Sequence, residues 1–273
     1  MGGCANVGRM DGEGTQRKRG IYLLPNLLTT GALFAGFYAI VAAMAGRHEP
    51  AAVALFVAIV LDGLDGRIAR LTGTQTDFGA QYDSLSDVIA FGLAPALVVY
   101  HWALAHLAAY GWLWAKLGWL AAFVYTACTA LRLARFNTQL GVADKRHFQG
   151  LPSPAAAGLV ASFVWMAVGL ELPGERLAFP AFALTLLAAG LMVSNLRYHS
   201  FKELDLRSRV PFVAVVALTL VLAFGAIDPP KALFAAGLVY AFSGPVLTLV
   251  EVQRRRRRRA RLPSGAGRAP RRR

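Results

Sequence analysis

Four carboxylates stand where carboxylates are costly: Asp62, Asp65, Asp83 and Asp87 fall within largely apolar sequence. The string reads Asp62-Gly63-Leu64-Asp65-Gly66-Arg67-Ile68-Ala69-Arg70, then eight residues, then Gly79-Ala80-Gln81-Tyr82-Asp83-Ser84-Leu85-Ser86-Asp87. Residues three or four apart share a helix face, so Asp62 and Asp65 project from one side of one helix and Asp83 and Asp87 from one side of the next. A short turn makes these helices antiparallel neighbours whose acidic faces can meet. Ionised aspartate at membrane depth costs at least ~2.5 kcal/mol, and four facing one another repel, so a cation must offset them. Oxygen-only ligands with no His or Cys nearby favour a hard divalent ion, Mg²⁺ or Mn²⁺. Two ions would neutralise four carboxylates, and a metal pair about 3.5 to 4 Å apart suits phosphoryl transfer because it steadies both the attacking and the leaving oxygen. Gly63, Gly66, Ala69 and Gly79 leave room for a nucleotide to approach the backbone. Arg70 offers a planar fork for phosphate oxygens. The competing reading pairs the aspartates with Arg67 and Arg70 in a buried network and assigns the glycines to helix packing.

The elements that must position these groups are membrane helices. Of the 273 residues, 56% are hydrophobic and only 16% charged, more apolar side chain than a single water-soluble core of this length uses. Runs of about 20 apolar residues, enough to span a bilayer, fall at Leu27 to Ala45, Ala51 to Leu71, Gly79 to Leu104, Gly111 to Ala134, Pro154 to Leu170, Leu177 to Ser194, Val210 to Ile227 and Lys231 to Val250. The expected fold is all-α, a polytopic membrane helical bundle of about eight transmembrane helices. Residues 1-24 read as an interfacial basic arm, 25-251 as the membrane domain and 252-273 as a disordered Arg-rich tail. Lys and Arg cluster in alternate connections, around Arg17 to Arg19, Arg67 and Arg70, Arg132 to Arg146, Arg197 to Arg209 and the tail, whereas the opposite loops hold Arg47, Lys116, Arg176 and Lys231. Positive loops stay cytoplasmic, so both ends and the acidic motif are expected inside. Asp62 lies about 17 Å along its helix from Ala51, which leaves it in the cytoplasmic half of the membrane.

The formal charge of +14 sits largely at the two ends, so anchoring and attraction to anionic lipid account for it and no nucleic-acid partner is expected. The polar, Gly-rich start argues against a signal peptide. Cys4 and Cys128 do not make a disulfide framework or a thiolate metal site. Trp112, Trp114 and Trp119 read as an interfacial belt on the outer side.

The acidic string resembles the signature of the CDP-alcohol phosphotransferases, D-G-x-x-D-G-x-x-A-R, eight residues, G-x-x-x-D-x-x-x-D, and matches it at all nine specified positions. That resemblance implies that Asp62, Asp65 and Asp83 hold one metal and that Asp62, Asp83 and Asp87 hold a second. It further implies that Asp87 takes the proton of the acceptor alcohol, that Gly66, Arg70 and Thr76 contact the CDP moiety, and that the enzyme is a homodimer in the cell (inner) membrane.

Outside the signature, five patches are similar to bacterial and archaeal phosphatidylserine synthases of that family. They are Leu24-Pro25-Asn26-Leu27-Leu28-Thr29 running into Gly36-Phe37-Tyr38, Phe91-Gly92-Leu93-Ala94-Pro95-Ala96, Arg132-Leu133-Ala134-Arg135-Phe136-Asn137, Phe148-Gln149-Gly150-Leu151-Pro152-Ser153 and Ser194-Asn195-Leu196-Arg197-Tyr198. The activity implied is transfer of the phosphatidyl group from CDP-diacylglycerol to L-serine, with other acceptor alcohols as the rival. Arg132 and Arg135, with Asn137, become candidates for binding the acceptor's carboxylate or, alternatively, cationic anchors at a helix end. Asn26 and Thr29 stand either beside the nucleotide or at a helix start after Pro25. Ser153, between two prolines, reads as a turn residue. A transporter or proton pathway also uses intramembrane carboxylates but leaves the Gly and Ala positions of the motif without a task.

Overall fold

The computed structural model describes residues 13–73, 76–139, 147–199 and 227–261. Helix α1 (Glu13–Met44) turns through Gly46 into α2 (His48–Thr72). Gly46 has φ of 74°, a left-handed conformation glycine adopts without cost. The two helices pack together more extensively than any other pair. Alanines line the contact, with Ala39, Ala42, Ala43, Ala51 and Ala54 all buried around Leu55. In lipid, burying a larger apolar side chain gains little over leaving it against acyl chains, so small residues that bring backbones close dominate such seams. Phe34, Phe37, Val60 and Phe123 point outward instead.

Helix α2 ends at Gly73, again left-handed at φ 62°, with its N–H on the carbonyl of Ala69. Thr76 caps the next helix, α3 (Asp77–Asp87), its hydroxyl accepting from Gly79 N at 3.0 Å. The chain then continues through a π-helical stretch, Val88–Leu93, into α4 (Ala94–Trp102) without a break. A 3₁₀ segment (Leu104–Tyr110) leads to α5 (Trp112–Gln139). Strand β1 (His147–Gln149) precedes α6 (Ser153–Gly169), and α7 (Ala178–Val193) precedes β2 (Arg197–His199). The two strands pair antiparallel, His147 opposite His199 and Gln149 opposite Arg197. Helix α8 (Pro229–Arg261) packs chiefly on α6.

The membrane-helical class expected from sequence holds, with three differences. Among the described residues, four helices are both long and apolar enough to cross a membrane: Asn26–Met44, Asp77–Trp102, Trp112–Thr138 and Pro229–Thr248. Helix α2 carries the acidic motif and two arginines in its second half, while α6 and α7 are apolar but shorter, at 17 and 16 residues. The expected span at Val210 to Ile227 lies, but for its last residue, outside the described residues. Second, among the described residues a short β1–β2 ribbon interrupts the run of helices. Third, residues 252–261 of the expected disordered tail continue α8 as helix, and residues 13–24 of the expected arm are the start of α1. Arginine is a good helix former, and cations near a helix C-terminus interact favourably with its dipole.

Candidate active site

The acidic faces of α2 and α3 meet. Asp62, Asp83 and Asp87 each offer a carboxylate oxygen, and the three oxygens lie within 4.8 Å of one another at half-buried positions. The Asp62 and Asp87 carboxyls stand within hydrogen-bonding range. Two carboxylates hold that spacing only with a proton or a cation between them. The donor set is all oxygen, the spacing admits a divalent ion at ordinary oxygen distances, and the site therefore fits Mg²⁺ or Mn²⁺.

Asp65 behaves differently from the other three. Close enough to Asp62 and Asp83 to feel their charge, it is the most buried of the four, and Thr29 of α1 donates a hydrogen bond to its Oδ2. The fourth motif carboxylate is thus tied to a side chain 36 residues away rather than grouped with the trio. Thr29, one of the residues expected beside a nucleotide, is the donor in that bond. Asn26 stands one turn earlier on α1, where its Oδ1 would lie 3.4 Å from a Cβ built on Gly79. Alanine at 79 would also press on the Thr76 hydroxyl at 3.1 Å, so the N-terminus of α3 is closed around that glycine. Gly66 is the opposite case, for a Cβ there meets only Arg70 Nη1, at 3.9 Å, and one at Gly63 meets nothing within 4 Å. That open strip runs along α2 beside the carboxylates. Ala69 lies half-buried along it and Arg70 is exposed at its end.

The acceptor candidates on α5 separate. Arg132 is the inner one: it interacts electrostatically with Asp87 and with Tyr240 of α8, and its Nη1 donates to the buried Ser153 hydroxyl at 2.9 Å. Its Nε is buried without a hydrogen-bond partner among the described residues. A guanidinium has five N–H donors, and this one keeps donor capacity next to the carboxylate cluster. Arg135 turns away, Nη2 donating to Asn195 Oδ1 at 2.6 Å. Asn137 does neither, since its Nδ2 donates to Ser84 Oγ at 2.9 Å and links α5 to the acidic helix between Asp83 and Asp87.

Ser153, Asn195, Ser84 and Tyr240 were not among the expected site residues. Ser153 and Asn195 come from the two family-like patches that flank β1 and β2, and the ribbon explains both. Pairing continues past the strands, with Gly150 N donating to Leu196 O and Leu151 N to Leu191 O. Gly150 has φ of 82°, and a Cβ there would sit 2.2 Å from the Met192 carbonyl oxygen, so only glycine fits. The clue to Ser153 was its position right after this obligatory turn.

Comparison with known proteins gives a concordant result. A family model described as CDP-alcohol phosphatidyltransferase matches residues 22–194. A CDP-diacylglycerol-serine O-phosphatidyltransferase of Helicobacter pylori is 38% identical over 204 residues, covering 74% of this chain and 82% of that one. One from Methanocaldococcus jannaschii is 35% identical over 190 residues, 70% of this chain and 80% of its own. An archaetidylserine synthase of Methanothermobacter thermautotrophicus is 34% identical over 177 residues, 64% of this chain and 69% of that protein. With the acidic trio assembled and the matched region running from α1 to the end of α7, this chain is a member of the CDP-alcohol phosphatidyltransferase family.

Proposed function

We propose that the protein transfers the phosphatidyl group of CDP-diacylglycerol to the hydroxyl of L-serine, releasing CMP. The single observation that carries this reading is the convergence of Asp62, Asp83 and Asp87 beside Arg132. Relatives named for serine transfer, over most of their length, support the choice of acceptor.

In this reading Asp62, Asp83 and Asp87 would hold Mg²⁺ or Mn²⁺, two ions per site with Asp65, steadied by Thr29, as the fourth carboxylate, and ions bound there would supply positive charge for the transferred phosphoryl oxygens. The CDP moiety lies along the open strip of α2 at Gly66 and Ala69, with Arg70, Thr76, Gly79, Asn26 and Thr29 around it. Arg132 receives the serine carboxylate through its spare donors, which sets the serine hydroxyl near Asp87. Asp87 accepts the hydroxyl proton, the serine oxygen bonds to the lipid-side phosphorus, and the bond from that phosphorus to the CMP oxygen breaks. No covalent enzyme intermediate is needed. The active site opens to the cytoplasm, as the Lys and Arg distribution supports, in the inner membrane of a homodimeric enzyme whose other partners are membrane lipids.

The test is incorporation of radiolabelled serine into lipid by purified protein, supplied with CDP-diacylglycerol in detergent. Serine-dependent CMP release that stops on chelation and returns with Mg²⁺ or Mn²⁺ is the expected result. Equal CMP release with glycerol 3-phosphate, inositol phosphate or choline in place of serine would overturn the choice of acceptor.

A further inference from the structure

The π-helical stretch between Asp87 and α4 has a chemical cause in the sequence. Proline has no N–H, and its ring crowds the carbonyl four residues back. Pro95 does this to Phe91. Around it the hydrogen-bond ladder changes step: Val88 N–H reaches Ser84 O, four residues back, whereas Ala94 N–H reaches Ile89 O, five back. One extra residue is therefore absorbed just after Asp87. A buried carbonyl left without a donor costs about 1 to 3 kcal/mol, and here another helix supplies the donor. Tyr125 of α5 is fully buried, and its hydroxyl donates to Phe91 O at 3.3 Å. Thr126 Oγ1 lies 3.4 Å from Gly92 O.

The stretch is also clamped from both sides. A Cβ on Gly92 would meet Thr129 Cβ at 3.2 Å, and one on Gly36 of α1 would meet the Ala90 Cα at 2.9 Å. Neither Tyr125 nor Pro95 belongs to the acidic site. Their effect on it is rotational, because each α-helical residue advances about 100° around the axis. An α3 joined to α4 by regular α-helix would present a different face to α2.

We infer that Pro95 and Tyr125 form a positioning device: by holding the π turn open, they set the rotational phase of α3 so that Asp83 and Asp87 face Asp62. The link to catalysis rests on the acidic trio being the metal centre proposed above, while the rotation itself does not.

Two variants test it, Pro95→Ala and Tyr125→Phe, each in the full chain in detergent. The rotation is read without metal. Thr30 of α1 and Tyr82 of α3 touch through their hydroxyls, 2.9 Å apart, so in a Cys4→Ser, Cys128→Ser background the pair Thr30→Cys and Tyr82→Cys reports the phase. A short bis-thiosulfonate reagent should bridge them readily with Pro95 present and at least fivefold more slowly in Pro95→Ala. Alanine also returns an N–H to Phe91 O, so Pro95→Ala should melt no lower than the parent while its Mn²⁺ dissociation constant, read by electron paramagnetic resonance, rises at least tenfold. In the Pro95→Ala background, adding Tyr125→Phe should cost less stability than it does in the parent. A Pro95→Ala protein with unchanged bridging and unchanged Mn²⁺ affinity overturns the inference, whatever its melting temperature. If bridging slows but the parent itself binds no Mn²⁺, the rotation stands and the metal-centre reading fails.

Discussion

Replacing Arg132 with glutamine removes a guanidinium whose Nη1 is engaged by Ser153 at 2.9 Å, whose buried Nε has no partner among the described residues, and whose charge is felt by Asp87. If the spare donors take the serine carboxylate, the variant loses hydrogen bonding to a charged group, worth about 1.5 to 3 kcal/mol. At 1.36 kcal/mol per factor of ten, kcat/KM for serine should fall roughly 10- to 150-fold. Most of the change should appear in KM, because the contact exists before the chemical step. Arg132→Lys keeps the charge but loses the fork and should fall between the two. Arg135→Gln is the internal control: its guanidinium is committed to Asn195 at 2.6 Å, so serine KM should change by less than about threefold, the residue being a surface partner of modest worth. The assay is initial rate against serine at saturating CDP-diacylglycerol, with a melting curve for each variant to separate lost binding from lost fold. An unchanged serine KM in Arg132→Gln, or a larger effect at Arg135, would refute the assignment.

Asp87→Asn should lower kcat about 10² to 10⁴-fold, the usual worth of a positioned base, while sparing CDP-lipid binding more than Asp83→Asn does; equilibrium binding of CDP-diacylglycerol alongside turnover checks both. Thr29→Val keeps the shape but withdraws the donor from buried Asp65, so it should destabilise the protein by about 1.5 to 3 kcal/mol, seen as a lower melting temperature at neutral pH. On the face opposite the active site, before the second span, burial holds the His48 pKa below its ordinary value, and His101 and His106 push it the same way. The folded state then binds fewer protons than the unfolded one, so this stability is present above about pH 6.5 and lost as pH falls through the lowered value. His48→Gln should flatten the fall in melting temperature between pH 7 and pH 5.

The acidic trio was legible because its geometry is local: spacings of three and four residues on neighbouring helices bring the carboxylates together with little help. Asp65 escaped that logic because its partner Thr29 lies on another helix, and a motif says which residues are acidic but not which hydroxyl reaches them. The arginines show the same limit from the other side. Arg132 and Arg135, three apart in sequence, looked equivalent, and only the ribbon distinguishes them by delivering Ser153 to one and Asn195 to the other. Three-residue strands bounded by apolar helices carry too little periodicity to be read in advance. Pro95 was visible, yet a proline within an apolar span announces a disturbance without saying whether the chain kinks, breaks or winds wider. The extent of α8 was missed because an arginine run satisfies both a solvated tail and a helix, and continuity with the preceding apolar turns decides between them.

The ribbon also joins two parts of the chain that would otherwise be far apart. Strands β1 and β2 fasten the base of a loop that contains all of α6 and α7, and the arginines of α5 find Ser153 just after the first strand and Asn195 just before the second. The stretch from α1 to α5 supplies every carboxylate of the motif, whereas Ser153 for Arg132 and Asn195 for Arg135 come from the segment around α6 and α7. The carboxylates and the hydroxyl and amide that hold the neighbouring arginines therefore come from different stretches of the chain, and the ribbon ties the two ends of the second stretch together.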